Sequence, residues 1–287
     1  MIHPRACIFS FLLIISITAC KNNADQNASQ KDTSVTSTDT TAKVSDTLVY
    51  EDCYEKFFQG LGKVNDSGDV MLTLKNGSKV TFKSFAETDM AGRYARYGVK
   101  SLDNDTTPEL VVYNYTGGAH CCDEIHIFSR QGADYSFKAK LFGGFVCIDP
   151  ATNIFTYSLN ETLGYFFACY ACGFSDSTSG FKTIREIQLR YAQGKLELVP
   201  YDAATGKQLI RNLEILNKHG YEELEGLMDN GWRKEFAMNF AVWHYNNGKN
   251  WNKTKKIYDK YYTFKDATGV WKELYTSLKD AGKESSL

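Results

Sequence analysis

Length, composition and charge limit the classes of protein to which this sequence can belong. The chain has 287 residues, of which 43% are hydrophobic and 14% aromatic, so one or two domains with a sizeable core are expected. Its formal net charge of −1 at pH 7 excludes a global basic field, and no nucleic-acid partner is expected. The 18 Tyr and 18 Phe with only 4 Pro predict a β-rich globular chain rather than a disordered one.

The first 19 residues predict a lipoprotein signal peptide. Arg5 precedes an almost wholly apolar run over residues 6–17, and the small residues Thr18 and Ala19 precede Cys20. A run of that length is shorter than the roughly 20 residues of a transmembrane helix, but it suits a signal peptide. We therefore expect Cys20 to become the lipidated N-terminus of an envelope protein, which its acyl chains anchor to a membrane.

Residues 20–47 predict a flexible tether between this anchor and the folded body. Lys21 stands where an Asp would favour retention in the inner membrane, so an outer-membrane location is expected. The tether has no aromatic residue and cannot bury enough apolar surface to offset its ordering entropy. Its r.m.s. reach is on the order of 30 Å. No later stretch reaches the roughly 18 apolar residues of a transmembrane helix, so the body is expected to lie outside the bilayer.

Residues 48–200 alternate between apolar and polar and predict an antiparallel β-rich domain, either a sandwich or a partial propeller-like sheet. Asn76-Gly77 lies between two alternating segments and predicts a hairpin with a type I′ turn. Gln193-Gly194 predicts a second hairpin. Further strands are expected at residues 109–115, 124–128, 155–159, 165–174 and 184–191.

Residues 201–287 predict a helical C-terminal region, which makes the whole chain α+β. An amphipathic helix is predicted by large apolar residues that recur at spacings of three and four: Trp232, Phe236, Phe240 and Trp243. Asn246-Asn247-Gly248 is expected to end this helix. A second helix is predicted over residues 251–262, and Asp266 is expected to cap a last one.

The segment 101–113, SLDNDTTPELVVY, places acidic side chains in a loop directly before a strand. Asp103, Asp105 and Glu109 offer hard oxygen ligands of the kind with which a short loop wraps Ca²⁺. The alternative is an Asx-rich turn, in which these side chains accept hydrogen bonds from backbone N–H groups.

The string that follows, TGGAHCC, supplies candidate binding residues. These are Gly117, Gly118 and His120, because the two glycines allow a partner to approach the backbone closely.

The acidic segment resembles the DxDxDGxxE loop-then-strand unit of FG-GAP/VCBS-type repeat proteins over residues 98–130, and the TGGAHCC string is similar to one in a set of uncharacterised bacterial envelope proteins. In the repeat family such loops bind calcium and stabilise propeller blades used in adhesion and ligand binding. The resemblance therefore implies that Asp103, Asp105 and Glu109 are calcium ligands. The unit occurs once, so a full propeller, which needs several blades, is not expected.

Six cysteines remain once Cys7 leaves with the signal peptide and Cys20 is lipidated. An even number in an exported body predicts disulfides among Cys53, Cys121, Cys122, Cys147, Cys169 and Cys172.

The spacing of these cysteines predicts which of them do not pair with each other. Cys169 and Cys172 have the CxxC spacing of redox and metal motifs. The aromatic run before them predicts a strand, however, in which their α-carbons would lie about 10 Å apart, too far to pair. Cys121 and Cys122 would point to opposite faces of a strand and likewise bond elsewhere.

Two classes of function remain open. The favoured one is a non-catalytic envelope lipoprotein, either a structural module or one that binds a protein or a glycan through the loop 101–109 and the turn 116–120. The alternative is a thiol- or metal-dependent envelope enzyme that uses Cys121, Cys122, Cys169 and Cys172, where His120 and His126 could complete a soft metal site. The chain has no G-x-S-x-G, H-E-x-x-H or Walker A motif, so no catalytic residue is assigned. A glycosidase-type carboxylate pair stays open, because only the fold brings such a pair together.

Overall fold

The computed structural model describes residues 54–83, 94–103, 105–115, 123–174, 178–224 and 228–287. They confirm an α+β chain in which antiparallel strands precede the helices. All of them lie within the compact unit Val44–Leu287. The signal peptide, Cys20 and the whole of the predicted tether lie outside the described residues.

Seven antiparallel strands form the first sheet in the order β3-β2-β1-β4-β5-β6-β7. The strands are β1 Gly60–Val64, β2 Asp69–Thr73, β3 Lys79–Lys83, β4 Tyr94–Lys100, β5 Glu109–Tyr115, β6 Asp123–Gln131 and β7 Asp134–Phe142. Strand β1 pairs with both β2 and β4, which joins the first three strands to the other four. Strands β1, β4 and β7 fall outside the segments predicted from the sequence, although β4 and β7 do alternate between apolar and other residues.

The second sheet has four antiparallel strands in the order β11-β10-β9-β8. They are β8 Phe145–Ile148, β9 Ile154–Ser158, β10 Glu186–Ala192 and β11 Lys195–Val199. Along β10, Ile187, Leu189 and Tyr191 are buried, whereas Gln188 and Arg190 are exposed. This alternation is the period-two pattern that the sequence predicts. Strand β8 was not predicted.

Both predicted hairpins are present, but their turns differ in type. In the β2–β3 hairpin, Gly77 has a φ of 82° and its N–H donates to the Leu74 carbonyl at 2.8 Å, while the Leu74 N–H donates to the Ser78 carbonyl at 2.9 Å. This is a three-residue loop closed by a left-handed glycine, so the predicted type I′ turn is wrong there. In the β10–β11 hairpin, Gln193 and Gly194 have φ values of 50° and 83°, which is the type I′ arrangement.

The four longer helices of the described residues follow the strands in the chain, and a short one lies between β9 and β10. They are α1 Asn160–Leu163, α2 Ala203–His219, α3 Trp232–Asn246, α4 Trp251–Tyr261 and α5 Ala267–Glu284, and residues 54–57 form a further helical turn. Gly248, with a φ of 76°, follows the end of α3 as predicted. No helix in the described part of the chain is long and apolar enough to cross a membrane.

Helix α3 is buried on every side, so the prediction of an amphipathic helix is wrong. All residues from Trp232 to Tyr245 are buried, and Arg233, Lys234 and Glu235 are among them. The predicted aromatic stripe does lie in the core. The opposite face has no contact with solvent, because α1, α2, α4 and strands β10 and β11 all pack against α3.

Asp266 occupies the N-cap position of α5, but its side chain makes no capping hydrogen bond. Its Oδ2 instead accepts from the Tyr262 hydroxyl at 3.2 Å and from Nη1 of Arg233 at 3.3 Å. The predicted capping role is therefore wrong. Asp266 links the start of α5 to the buried helix α3.

The main core is continuous through both sheets and the helices. Ile127 of β6, Phe155 of β9 and Phe236 of α3 belong to one cluster of buried side chains. A second, smaller cluster covers the other face of the first sheet and includes Leu72 of β2 and Phe128 of β6. Strand β6 is therefore buried on both faces.

Candidate functional site

The three predicted calcium ligands lie together in the loop between β4 and β5. Asp103, Asp105 and Glu109 each have a carboxylate oxygen within 4.8 Å of the others. Asp103 Oδ1 accepts from the Asp105 N–H at 3.3 Å, and Asp105 Oδ1 accepts from the Thr107 N–H at 2.6 Å. These two bonds are Asx turns, so the loop has the geometry of the Asx-rich turn that was the alternative to a calcium site. Its three carboxylates also converge closely enough to contact one cation.

Glu109 is the buried member of this acidic loop. It begins β5 and is 2% exposed. Its Oε2 accepts from the Leu102 N–H at 2.9 Å, and its Oε1 lies 3.4 Å from the Ser129 hydroxyl. Burial raises the pKa of Glu109, and the carboxylates of Asp103 and Asp105 raise it further. A bound cation would relieve the like-charge repulsion that contributes to this shift.

The donor set suits calcium better than a softer metal. All three side chains offer carboxylate oxygen, the ligand that Ca²⁺ prefers, and Ca²⁺ takes six to eight such ligands in flexible geometry. The Asx turns occupy one oxygen each of Asp103 and Asp105, so the second oxygen of each carboxylate remains available. The loop thus fits part of a calcium shell.

The CxxC pair contradicts its predicted geometry. Cys169 and Cys172 are bonded to each other, with their α-carbons 5.0 Å apart. Residues 165–174 contain turns and no strand, and Phe167 has a φ of 50°, which breaks an extended run. The Cys172 N–H donates to the Cys169 carbonyl at 3.0 Å, closing the turn that brings the two sulfurs together. In this form neither sulfur is a thiolate ligand for a metal.

The other predicted residues are distributed as follows. Cys147 is also disulfide-bonded. His126 is described and buried, with its Nε2 3.5 Å from Oε2 of Glu124, whose Oε2 accepts from Asn114 Nδ2 at 2.8 Å. Outside the described residues lie Cys20, Cys53, Gly117, Gly118, His120, Cys121 and Cys122.

An open groove of about 1140 Å³ lies along the second sheet, and nothing in the sequence analysis pointed to it. Its walls include parts of β10, β11, α2 and the last turns of α3. The lining residues are thus spread over the chain between positions 158 and 246. Gln188, Asn160, Lys182 and Tyr201 are among them. No sequence motif could have revealed this groove, because its residues come together only after the sheet and helices pack.

A buried ion pair supports one wall of the groove. Arg185, which lines the groove, is paired with Glu235 of α3. Glu235 is fully buried, and burial raises its pKa while Arg185 opposes that rise. Because a buried carboxylate without a partner is costly, this pair fixes the position of Arg185.

Asp123, at the start of β6, is a second group that sequence reasoning missed. Burial, together with the carboxylates of Glu161 and Glu124, raises the pKa of Asp123 to about 7. The Gly143 N–H donates to the Asp123 carbonyl at 2.8 Å, and a Cβ placed on Gly143 would lie 3.1 Å from the Cβ of Glu161. The two acidic segments are therefore neighbours in space although they are distant in sequence.

Comparisons with known proteins assign no family to this fold and these sites. No family model matches the chain, and no curated protein or solved structure matches it.

Proposed function

We propose that this chain is a lipid-anchored protein of the cell envelope whose folded body binds a glycan in the polar groove without converting it. The observation that carries the proposal is the groove itself, a concave surface of about 1140 Å³, which is large enough for an oligosaccharide. The signal-peptide pattern, Cys20 and the tether support the anchor. Lys21 after the lipidated cysteine supports the outer membrane as its location.

The chemistry of the groove favours a neutral, hydroxyl-rich ligand. Sugar hydroxyls both donate and accept hydrogen bonds, and the exposed carboxamide of Gln188 does the same. The ring of Tyr201 offers an apolar face to the C–H groups of a sugar. Net charge along the groove is balanced, since two basic residues face two acidic ones: Lys182, Arg185, Glu186 and Asp202.

The groove is held in place by contacts beneath it. The Tyr201 N–H donates to Asn246 Oδ1 at 3.0 Å, and Asn246 Nδ2 donates to the Val242 carbonyl at 2.9 Å. Gln208 Nε2 donates to the Gly180 carbonyl at 3.0 Å. A preorganised surface loses little conformational entropy on binding, which suits recognition of a flexible polysaccharide.

Calcium enters this proposal as a structural ion. Asp103, Asp105 and Glu109 would hold it in the loop before β5, where it would neutralise three neighbouring carboxylates. Its effect would be to order the loop, and no chemical step is assigned to it.

Binding of short neutral glucan, mannan and chitin oligosaccharides to the processed full-length protein in detergent tests the groove. We expect Gln188→Ala to weaken binding by at least about tenfold, the effect of losing about 1.4 kcal/mol of hydrogen bonding. Lys207→Ala, an exposed substitution on α2 outside the groove, should leave affinity unchanged. Absence of binding to every oligosaccharide, or equal effects of Gln188→Ala and Lys207→Ala, would contradict the proposal.

The anchor is tested separately by Cys20→Ser. This substitution removes the thiol that accepts lipid, so the protein should leave the membrane fraction and lose incorporation of labelled palmitate. Retention in the membrane with unchanged labelling would show that Cys20 is not the lipidation site.

A further inference from the structure

The Cys169–Cys172 disulfide lies against the N-terminus of the buried helix α3. Gly231 is the N-cap of α3 and has a φ of 94°. A Cβ placed there would lie 2.8 Å from the Gly173 backbone and 3.0 Å from the carbonyl carbon of Cys172. Redox-active CxxC pairs commonly sit at a helix N-terminus, because the helix dipole stabilises a thiolate. Here α3 supplies that environment through space, although it begins 60 residues later in the chain.

Two cations surround the same turn. The buried Lys234 ammonium donates to the carbonyls of Cys169 at 3.0 Å and Tyr170 at 2.8 Å. Nη2 of Arg185 would lie 3.2 Å from a Cβ on Gly173. The opposing charge nearest to this position is Glu235, 3.5 Å from that Cβ, and Arg185 is paired with it. The buried Asp229 carboxylate accepts from the Gly231 N–H at the start of α3 and is paired with Arg233. Because Arg185 is paired with Glu235 and Arg233 with Asp229, the Lys234 ammonium remains as the cation beside the turn that is not paired with a carboxylate in this way.

The turn is also accessible to a partner. Cys169 and Cys172 are both half-buried, and Ala171 between them is exposed. Tyr165 is 66% exposed, and its ring lies 5.4 Å from that of Tyr170. A cavity of about 360 Å³ opens beside the turn, lined by three aromatic and four polar residues: Tyr165, Phe166, Phe167, Glu161, Thr162, Glu273 and Ser277.

A purely structural role explains this disulfide poorly. It closes a loop with a sequence separation of only three, and a disulfide restricts the unfolded chain least when its loop is short. The turn is already held by Lys234 and by the Cys172-to-Cys169 backbone hydrogen bond. The covalent bond is therefore not needed to define the geometry of this segment.

We propose that Cys169 and Cys172 form a redox-active pair that exchanges electrons with two cysteine thiols of another exported protein. A partner thiolate attacks Sγ of Cys169, the disulfide breaks, and Cys172 leaves as a thiolate near the N-terminus of α3. The partner's second thiolate then attacks the partner's first sulfur, which is bonded to Cys169 in the mixed disulfide. This attack forms the partner's disulfide and releases Cys169 as a thiolate. The partner loses two electrons and two protons and gains a disulfide, and the cysteine pair gains them as two thiols. This activity goes beyond glycan binding and does not depend on it.

Equilibration of the processed full-length protein with mixtures of reduced and oxidised glutathione at pH 7 tests the proposal. After an acid quench and alkylation, mass spectrometry distinguishes the peptide with Cys169 and Cys172 from the one with Cys147, whose disulfide is an internal control. We expect the CxxC pair to become half-reduced at a glutathione ratio at least about 100-fold less reducing than Cys147 requires. Reduction of both disulfides together, or only after denaturation, would overturn the proposal.

Two variants separate the chemistry from the fold. A peptide with two reduced cysteines should be oxidised by the wild-type protein and not by the double variant Cys169→Ser, Cys172→Ser. In Lys234→Met, the exchange equilibrium with glutathione should shift about tenfold toward the disulfide, equivalent to about 30 mV, because the thiolate loses a nearby cation. Lys207→Met should leave it unchanged. Equal peptide oxidation by the double variant, or no shift in a Lys234→Met protein with native near-UV circular dichroism, would count against the pair.

Discussion

The acidic loop 101–109 and the Cys169–Cys172 turn are both short segments outside the sheets, but they are held in opposite ways. In the loop, Asp103 and Asp105 each accept from the N–H group two residues further along the chain. Glu109 accepts from the N–H group of Leu102, seven residues earlier. In the turn, the backbone carbonyls are held by Lys234, more than 60 residues away in the sequence. The loop is thus ordered mainly by its own residues, and the turn by the packed helix α3.

This difference determines how far the effect of a substitution should spread. A lost Asx bond costs roughly the net value of one hydrogen bond, because the backbone N–H can turn to water. Loss of Asp229 from the network at the start of α3 leaves the buried Arg233 guanidinium with only the partly exposed Asp266 as a charged partner, which costs several times more. The turn should therefore be coupled to global stability, and the loop should not.

The largest expected effect is that of Asp229→Ala. Asp229 is fully buried; its Oδ1 accepts from the Gly231 N–H at 2.8 Å, and its Oδ2 accepts from the N–H and Nε of Arg233 at 3.1 and 2.8 Å. Removing it should lower the free energy of unfolding by about 3–5 kcal/mol. Asp105→Ala, which removes one local bond from an exposed carboxylate, should cost about 1 kcal/mol. Urea unfolding measures both, and equal losses would erase the distinction between the two regions.

The next effect concerns His244, near the C-terminal end of α3. Burial, with a contribution from Lys249, lowers the pKa of His244 from its ordinary 6.5 to about 4. Its Nδ1 lies 2.7 Å from the Thr254 hydroxyl, which donates to the Asn250 carbonyl. The hydroxyl must therefore accept from His244, which assigns the proton of the neutral ring to Nδ1.

Because the pKa is lower in the folded state, this histidine should destabilise the fold as the pH falls from 6.5 through 4. The loss amounts to about 3 kcal/mol. Asp123 acts in the opposite direction, because its pKa is higher in the folded state than in the unfolded state. Its contribution to the free energy of unfolding is largest at a pH below its unfolded pKa and is lost as the pH rises toward 7. The test therefore compares the wild type with His244→Gln, which keeps a donor for Thr254. The wild type should lose about 3 kcal/mol relative to the variant between pH 7 and pH 4, and parallel pH profiles would refute this.

The same difference between local and distant contacts explains what the sequence could predict. The hairpins and the convergence of Asp103, Asp105 and Glu109 follow from residues that are close in the chain. The prediction that Cys169 and Cys172 do not pair was wrong because the aromatic run before them is typical of a strand. The contacts that shape this turn come instead from Lys234 of a distant helix. The groove and the full burial of α3 depend on how separate elements pack against each other. The periodicity of residues within one segment carries no information about that packing.

The smallest expected effect tests whether the acidic loop is only a turn or also a cation site. In Glu109→Gln, the new carboxamide oxygen can still accept from the Leu102 N–H, while the like-charge repulsion from Asp103 and Asp105 disappears. Because the pKa of Glu109 is raised in the fold, its charged form is unfavourable at pH 7, so the variant should gain up to about 1 kcal/mol in a chelator, the scale of two charges about 4 Å apart in water.

With calcium bound, the wild type should instead be more stable than Glu109→Gln. At 100 times its dissociation constant a bound ion adds about 2.7 kcal/mol to the stability of the wild type, and Glu109→Gln should lose most of that gain. Asp149→Asn is the matched control, because Asp149 also forms an Asx turn, accepting from the Ala151 N–H at 2.8 Å, but lies outside the acidic cluster. It should respond to calcium as the wild type does. A wild-type melting temperature that calcium leaves unchanged would identify the loop as an Asx turn alone, held by its backbone bonds and by the Ser129 hydroxyl on Glu109.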